Sequence, residues 1–272
     1  WRCEATYYLD VLVPPTSVVD KYSRGSVLVV GGSTRFPGAA IMAAKSAARA
    51  GAGYVTLAVP EPIANLCRTH LLEIPVVGLP ADADGTFSNE ARAQVAQLAE
   101  RRSAVLVGPG MCVTGGTVGV VSTLLESEVP LVIDADGLNS LARLTSNRLD
   151  EFPELLRRKA PLVLTPHRRE LGRLVGLTYA APNSLTSALE AARRIVWADG
   201  GSELVVVAKG TATACVGVEI AMLPKPGPAC LATAGSGDVL AGITAGLLAR
   251  GVETESLPTL TAFACEVHGY AA

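Results

Sequence analysis

The sequence predicts an α/β fold with a mostly parallel central sheet, helices on both faces and a small hairpin at one edge. Short, continuous apolar runs rich in Val recur along the 272 residues, as expected of strands that are covered on both sides. Ala-rich helical segments separate these runs, and this alternation favours parallel strands joined by helices. No linker or fixed-period repeat divides the chain, so we expect one domain over residues 1–272, with 1–24 as a lead-in segment.

The individual elements follow from the same pattern. Strands are expected at 27–30, 55–59, 74–79, 104–107, 131–133, 162–164 and 204–207. Helices are expected at 38–50, 89–102, 116–126, 138–144 and 184–198. Gly217 and Val218 separate two further strands, 212–216 and 219–222, which form the edge hairpin. The turn-forming stretch 224–228 precedes a long helix that ends before Gly251, and 255–270 is expected to be a final helix.

Composition excludes several classes of protein. The longest apolar run, 239–249, is shorter than the ~18 residues that a membrane-spanning helix needs, so we expect no membrane protein. With 23 basic and 25 acidic residues the net charge is -2, which argues against a nucleic-acid partner. Residues 1–4 do not resemble a secretory signal, so we expect a cytoplasmic protein. The cysteines form no C-x-x-C pair and are expected to be free thiols, mostly buried: Cys3, Cys67, Cys112, Cys215, Cys230 and Cys265.

The most informative segment is the glycine-rich turn at 232–242, which opens the long helix. Its glycines allow a ligand to approach the backbone closely, and the helix N-terminus directs unpaired N–H groups and positive dipole towards it. Asp238 lies in the first turn of this helix. A simple capping role is the alternative, but small residues further along the helix suit close packing that would hold its N-terminus in place. We therefore expect a phosphate-binding site with Asp238 as a functional group.

Other turns that follow strands are open to two interpretations. The segments 31–38 and 107–110 are each tight structural turns or ligand-binding loops, and neither matches the P-loop or G-x-G-x-x-G patterns. In 133–139, Asp136 is expected to cap the next helix, while Asp134 is free to organise a metal ion through water. His167 and the two arginines after it form either a solvated turn or part of an anion-binding cleft. Lys209 also follows a strand, and a lone lysine at a strand end is ordinarily solvated.

Together these segments resemble the ADP/ATP-dependent NAD(P)H-hydrate dehydratases, a branch of the ribokinase-like superfamily. The resemblance extends from about Lys21 to Gly269. It is carried by 31–33 with 36–39, 49–53, 107–110, 134–139, 165–167, 209–210 and 232–242. The string Ala-Thr-Ala-Gly-Ser-Gly-Asp-Val-Leu-Ala-Gly at 232–242 is the most specific of these motifs.

The resemblance implies a ribokinase-like fold and repair of NADHX and NADPHX, the hydrated forms of NADH and NADPH. Such enzymes consume ADP or ATP with Mg²⁺, phosphorylate the C6 hydroxyl of the hydrate and eliminate phosphate. Asp238 would be the base, kept ionised by the helix dipole, and amides of Gly235, Ser236 and Gly237 would stabilise the phosphoryl group. By resemblance, Ala39, Gly110, His167 and Asp238 line the hydrate site. The nucleotide is held by Lys209, Gly210, Thr211, Ala212, Thr213 and Gly237.

The resemblance also implies a separate NAD(P)HX epimerase, because only the dehydratase region is recognisable. The Ala/Gly helix faces permit a homo-oligomer without requiring one. Departures from the family pattern are Arg168 and Arg169 in place of Pro-Gly, Asp20 in place of His, and Gly137 in place of Ala. The extra positive charge could contact the phosphates of the dinucleotide. A sister kinase acting on a vitamin precursor or sugar-like hydroxyl, and a non-catalytic nucleotide-binding protein, are the alternative functions.

Overall fold

The computed structural model describes residues 24–151, 153–177, 181–199, 203–251 and 257–272. Most of the lead-in segment, with Cys3, Asp20 and Lys21, lies outside these ranges, and so does the start of the predicted final helix.

The described part of the chain forms one nine-stranded sheet. In chain order the strands are β1 (Ser26–Val30), β2 (Tyr54–Pro60), β3 (Val76–Leu79), β4 (Ala104–Val107), β5 (Leu131–Ile133), β6 (Leu162–Leu164), β7 (Leu204–Ala208), β8 (Ala214–Val216) and β9 (Ala221–Met222). Their order across the sheet is β3-β2-β1-β4-β5-β6-β7-β8-β9. Neighbouring strands from β3 to β7 pair in parallel, whereas β8 and β9 are antiparallel and form the edge hairpin. The predicted fold class is therefore confirmed.

Helices connect the strands and cover both faces of the sheet. They are α1 (Pro37–Arg49), α2 (Glu61–His70), α3 (Ala91–Ala99), α4 (Gly115–Leu125), α5 (Asp136–Leu144), α6 (Pro153–Leu156), α7 (Arg168–Leu174), α8 (Leu185–Asp199), α9 (Ser236–Leu248) and α10 (Leu257–Tyr270). α1 begins at a proline, a residue favoured at the first helical position because its missing N–H would have no helical partner there.

Two hydrophobic cores lie on opposite faces of the sheet. Val27 and Val29 of β1 pack with α1, α2, α9 and α10, whereas Leu28 and Val30 pack with α3, α4, α5 and α8. Successive side chains of a strand point to opposite faces, so a strand buried on both faces needs a continuous apolar run. This requirement explains why these strands could be recognised from their continuous apolar runs.

The strand order reverses between β1 and β4, the third and fourth strands across the sheet. The chain leaves β1 towards β2 on one side and leaves β4 towards β5 on the other, so these two connections run in opposite directions. In parallel sheets of this kind ligands bind beyond the carboxyl ends of the strands at such a point. The predicted turns 31–38 and 107–110 follow these two strands, and they are joined by a Gly32 N–H to Pro109 carbonyl bond of 2.7 Å.

The prediction of elements missed three helices, α2, α6 and α7, and gave several ends that differ from the structure. β3 begins at Val76 rather than at 74, and the first hairpin strand begins at Ala214 rather than at 212. The thiols of Cys67 and Cys215 are buried as expected, but Cys230 is exposed. Within the described residues, none of the helices is both long enough and apolar enough to cross a membrane.

Candidate functional site

The N-terminus of α9 is open to a ligand. Gly235 precedes the helix with φ +90°, a left-handed conformation that favours glycine, and no side chain caps the helix there. A Cβ on Gly235 would lie 2.6 Å from Cε of Met42 in α1, so a side chain would also collide. Among the described residues, the Gly235 and Gly237 amides have no hydrogen-bond partner, while the Ser236 amide donates to Thr233 at 3.4 Å. Two of the three amides that we expected to contact the phosphoryl group are thus free, and that of Ser236 is partly engaged.

Close packing between α9 and α1 fixes this N-terminus. A Cβ on Gly242 would lie 2.2 Å from the Ala43 carbonyl oxygen, and one on Gly246 would lie 2.5 Å from that of Ala47. The two backbones can approach this closely only because the contact residues are small. The small residues of α9 therefore perform the packing function that the sequence predicted.

Asp238 lies half-buried in the first turn of α9. Burial raises the pKa of its carboxyl to about 6, the nearby charges of Asp134 and Asp136 raise it too, and Lys209 opposes them. At neutral pH this carboxyl is still mostly ionised, but it is not the weak base that we expected at a helix N-terminus. Burial and the neighbouring carboxylates make it a better proton acceptor than an ordinary aspartate.

A buried ion pair lies directly beneath this helix end. Lys209, which follows β7, donates from Nζ to Oδ1 of Asp134 at 2.7 Å, and Thr165 Oγ1 donates to the same oxygen at 2.7 Å. These residues follow β5, β6 and β7, so the sheet itself brings them together. The Asp134 side chain is 2% exposed and that of Lys209 is 19% exposed. Lys209 is thus not the solvated strand-end lysine that its position alone suggests.

Several carboxyl groups surround the ammonium group of Lys209. Burial alone would lower the pKa of Lys209, but the carboxylates of Asp134, Glu170 and Asp238 outweigh burial, and the pKa is raised. A Cβ on Gly237 would lie 3.4 Å from Lys209 Nζ and 3.9 Å from Asp134 Oδ2. The open end of α9 therefore sits against the ion pair, with Asp238 next to it.

His167 caps α7, a helix where the sequence suggested a turn or a cleft. Its Nδ1 accepts the N–H groups of Arg169 and Glu170 at 3.1 and 3.2 Å, and Glu170 Oε2 accepts the His167 N–H at 2.8 Å. The His167 side chain remains 53% exposed. The backbone of His167 forms a parallel β-bridge with that of Lys209. Burial, and then the charge of Lys209, lowers its pKa. His167 is thus neutral, oriented and accessible at this edge.

Glu170 is a member of the cluster that sequence reasoning missed. Burial raises the pKa of its carboxyl to about 7, with Lys209 opposing the shift. The signal was available, because His-x-x-Glu at 167–170 has the spacing of a capping box. A second missed residue is His268 of α10, whose Nε2 lies 3.2 Å from Ser236 Oγ.

The remaining predicted substrate residues meet across the point where the strand order reverses. Gly110 has φ +68°, and a Cβ on it would lie 2.5 Å from the Phe36 carbonyl oxygen and 3.0 Å from the Ala39 Cβ. Ser33 Oγ donates to the Gly110 carbonyl at 2.7 Å. Ala39 lies three residues before Met42, which contacts Gly235, so these residues adjoin the end of α9. They therefore lie beside the N-terminal end of the helix that carries Asp238.

The predicted nucleotide residues Gly210, Thr211, Ala212 and Thr213 form the turn after β7. Gly210 to Ala212 are exposed, and Thr213 Oγ1 donates to the Gly210 carbonyl at 3.4 Å. A Cβ on Gly210 would lie 3.5 Å from Nε of Arg168, so the Arg168 guanidinium is directed at this turn.

The prediction that Asp136 caps α5 is wrong. Ala135 occupies the capping position, with φ +48° and no side-chain hydrogen bond. Asp136 is instead the first helical residue, and its Oδ2 accepts the Cys112 N–H at 2.9 Å while Oδ1 accepts from Asn139 Nδ2 at 3.1 Å. The departure at Gly137 has a steric reason, because a Cβ there would lie 2.8 Å from the Val107 carbonyl oxygen.

The site suits a magnesium ion only if nucleotide phosphates and water supply most of its ligands. Among the described residues, no group of three or more His, Cys, Asp or Glu side chains could hold a metal. Asp134 Oδ1 is taken by Lys209 and Thr165, which leaves Oδ2 near Gly237. Mg²⁺ commonly keeps several waters and uses few carboxylates together with substrate phosphates. The residues therefore fit magnesium that arrives with a nucleotide.

Comparison with known sequences shows which proteins this chain is similar to. A family model described as NAD(P)H-hydrate dehydratase matches residues 27–272. The chain is 41% identical over 251 residues to a bifunctional NAD(P)H-hydrate repair enzyme Nnr from Salinibacter ruber, covering 91% of this chain and 43% of that protein. It is 35% identical over 238 residues to an ADP-dependent (S)-NAD(P)H-hydrate dehydratase from Xanthomonas campestris, covering 86% of this chain and 75% of that one. The chain thus spans less than half of its bifunctional relative.

Solved structures give the same picture. An ADP/ATP-dependent NAD(P)H-hydrate dehydratase from Bacillus subtilis, co-crystallised with ATP and Mg²⁺, superposes with a TM-score of 0.75 at 26% identity, covering 96% of this chain and 84% of that one. A ribokinase-like superfamily protein from Enterococcus faecalis superposes with a TM-score of 0.78 at 21% identity, covering 99% and 86% of the two chains. The second likeness confirms the ribokinase-like fold.

Proposed function

This chain belongs to the NAD(P)H-hydrate dehydratase family, and from that premise we propose that it converts NADHX and NADPHX back to NADH and NADPH at the expense of ADP or ATP. The observation that carries the proposal is the position of Asp238, half-buried at the open end of α9 and beside the Asp134–Lys209 pair. Relatives named as dehydratases of these hydrates support the choice of substrate.

The first step is phosphorylation of the C6 hydroxyl, because hydroxide itself is a poor leaving group. With a pKa of about 6, Asp238 is mostly ionised at neutral pH, yet it binds a proton more readily than an ordinary aspartate. Asp238 accepts the hydroxyl proton as the oxygen attacks the terminal phosphoryl group of the nucleotide. The phosphoryl transition state is loose, so a modest base is sufficient.

Charge on the transferred group is stabilised by the end of α9. The amides of Gly235 and Gly237 are free to donate among the described residues, and Lys209 Nζ lies beside Gly237. A magnesium ion bound with the nucleotide, near Oδ2 of Asp134, would neutralise further phosphate charge. The exposed turn from Gly210 to Thr213, next to Lys209, is the proposed nucleotide contact, and Ala39, Gly110 and His167 are the proposed contacts of the hydrate.

The second step is elimination. The C6–O bond breaks, C5 loses a proton, and inorganic phosphate leaves with the former hydroxyl oxygen. This restores the C5–C6 double bond of the dihydronicotinamide ring, and the nucleotide is left one phosphate shorter. We propose that residues 1–272 act as one ribokinase-like domain in the cytoplasm, and that an epimerase activity supplies it by interconverting the two hydrate epimers. The bifunctional relatives support this link between the two activities.

The proposed function is tested by product analysis. The protein is incubated with NADHX, Mg²⁺ and either ADP or ATP, while the absorbance of reduced nicotinamide and the release of phosphate are followed. We expect both to rise in equal amounts. Accumulation of a stable phosphate ester would instead indicate a small-molecule kinase, and nucleotide binding without turnover would indicate a non-catalytic protein.

A further inference from the structure

A basic cleft of about 490 Å³ opens beside the candidate site. Its lining residues are Val113, Asn139, Arg143, Ser146, Asn147 and Arg173. Two of these carry guanidinium groups and three offer neutral polar groups, while none of the described lining residues is acidic. The volume lies in the range of small-molecule sites. Nothing in the phosphoryl-transfer step uses these residues, so the cleft needs an account of its own.

One wall of the cleft is continuous with the catalytic cluster, by which we mean Asp134, Asp136, Glu170, Lys209 and Asp238. Asn139 lines the cleft and donates from Nδ2 to Oδ1 of Asp136 at 3.1 Å. Asp136 lies close enough to Asp238 for its charge to act on that carboxyl. Asn139 and Asp136 therefore connect a ligand in the cleft to the group that we propose as the base.

The opposite wall is also continuous with the site. Arg173 lies on α7, the helix that His167 caps, and its charge acts on both His167 and Glu170. Arg173 also donates through its guanidinium to Oδ1 of Asn139, so it bridges the two walls. Arg143 is exposed on α5, the helix that also carries Asn139.

The charges of the two regions are opposite. The catalytic cluster contains the carboxyl groups of Asp134, Asp136, Glu170 and Asp238, which Lys209 only partly balances among the described residues. These carboxylates would repel the phosphates of the dinucleotide. The cleft is cationic through Arg143 and Arg173. A ligand that spans both regions needs an uncharged reacting end and an anionic remote end. A hydrated dinucleotide has this distribution, since its reduced ring is neutral and its phosphates are charged.

We propose that the cleft between Arg143 and Arg173 binds a phosphate group of the hydrated dinucleotide and so holds the substrate for reaction at Asp238. This inference rests on the proposed function and assigns a subsite to its substrate. Guanidinium groups suit the role because they donate paired hydrogen bonds to phosphate oxygens. Ser146 and Asn147, both with positive φ (50° and 62°), add polar groups from the loop that closes the cleft.

The test uses Arg143→Gln, because Arg143 is exposed and, among the described residues, no hydrogen bond or ion pair links its side chain to the catalytic cluster. Arg101→Gln is the matched control, since Arg101 is exposed and precedes β4, at the amino end of the strands. We expect the KM for NADHX to rise about tenfold or more in Arg143→Gln, with kcat and the KM for nucleotide within twofold of wild type. Arg101→Gln should match wild type.

A phosphate-free substrate separates binding from misfolding. With hydrated reduced nicotinamide riboside, Arg143→Gln and wild type should have the same KM. An equal penalty on that substrate, an unchanged KM for NADHX, or a rise confined to the KM of the nucleotide would each overturn the proposal. Comparison of NADHX with NADPHX identifies the phosphate: equal penalties indicate the diphosphate bridge, and a larger penalty on NADPHX indicates the 2′-phosphate.

A binding measurement keeps this inference distinct from the proposed function. Titration of NADH into the protein, read by nicotinamide fluorescence, does not depend on turnover. Weaker binding by Arg143→Gln, with Arg101→Gln unaffected, would support the subsite even if hydrate repair were absent. Equal binding by all three proteins would overturn the subsite even if repair were observed.

Discussion

Asp238 acquires its chemistry from its neighbours more than from its helix. Its carboxyl is half-buried and faces two other aspartates, and one lysine compensates them only in part. The raised pKa gives a carboxylate that is ionised at neutral pH but accepts a proton more readily than usual.

Substitution of Asp238 by Asn removes the proposed base while conserving shape. We expect turnover of NADHX to fall by about 10³-fold or more, and nucleotide affinity to stay within a few-fold because the amides and Lys209 remain. The measurement is steady-state kinetics beside nucleotide titration. Near-normal turnover in Asp238→Asn would remove this residue from the mechanism.

The same carboxyl predicts the acid side of the pH profile. A base must be unprotonated, so kcat/KM of the wild type should fall as pH drops through about 6, the pKa of Asp238. The slope should approach one tenfold loss per pH unit. Circular dichroism at each pH is the control for unfolding, and a flat profile of a folded enzyme from about pH 7 to about pH 5 would contradict this role.

Residue-level prediction failed where neighbours in the fold decide the outcome. The site roles of Asp238, Gly235 and Gly237 stay predictions, and they were drawn from the specific string at 232–242. The buried state of Lys209 and the part played by Glu170 depend on which strand ends adjoin, and composition does not give that order. Asp136 was misassigned for the same reason, since its Cys112 partner lies 24 positions away in the chain.

At the scale of elements, α9 and α1 act as one rigid unit. Their contact depends on Gly242, whose hypothetical Cβ would lie 2.0 Å from Ser46 Oγ as well as 2.2 Å from the Ala43 carbonyl. A backbone oxygen cannot move aside as a flexible side chain can. Any separation of the helices would also shift the open end of α9 relative to Lys209.

Gly242→Ala is therefore expected to lower both stability and activity. We expect a loss of about 1–3 kcal/mol in the free energy of unfolding, and a fall in kcat of about tenfold or more because the amides and Asp238 are displaced. Chemical denaturation and kinetics measure the two effects. Gly115→Ala at the start of α4 is the control, because a Cβ there meets nothing within 4 Å. Wild-type activity in Gly242→Ala would show that this packing does not position the site.

Element-level prediction worked best for the buried strands. All seven predicted parallel strands are present, because burial on both faces demands continuous apolar runs. α2 was missed although its ten residues exceed the nine of α3 and of α5, whereas α7 has only seven residues and begins with three charged ones. The His167–Glu170 capping interaction at α7 is an example of a local signal that a reading centred on hydrophobic periodicity overlooks.

At the scale of the whole molecule, the site costs stability at neutral pH. Burial raises the pKa of Glu170 from an ordinary 4.5 to about 7. Between these values the folded protein binds a proton that the unfolded chain does not, so folding stability decreases as pH rises through this window. Asp238 acts in the same direction.

Glu170→Gln tests this linkage. Glutamine can still accept the His167 N–H but does not ionise, so the variant should gain stability relative to wild type as pH rises from about 5 to about 8, by no more than about 3 kcal/mol. Denaturation at several pH values measures the difference. Glu154→Gln, at an exposed glutamate of α6, is the control. A difference that stays constant with pH would show that Glu170 does not titrate in this window.

The sheet order explains why function could be inferred from scattered motifs. The turns after β1, β4, β5, β6 and β7 all lie at the carboxyl ends of parallel strands. This arrangement brings Gly110, Asp134, His167 and Lys209 to the same end of the sheet although they are far apart in sequence. Parallel topology predicts this shared end in advance. The Arg143–Arg173 cleft could not be predicted, because it depends on how α5 and α7 pack rather than on any motif.

The central claim is that the enzyme phosphorylates the hydrate and then eliminates phosphate, and the path of one oxygen atom tests it most directly. NADHX prepared in oxygen-18 water carries the label in its C6 hydroxyl. After turnover with Mg²⁺ and ADP or ATP, mass spectrometry of the released phosphate should show one labelled oxygen for each NADH restored. Unlabelled phosphate, with the label recovered in water, would contradict the account.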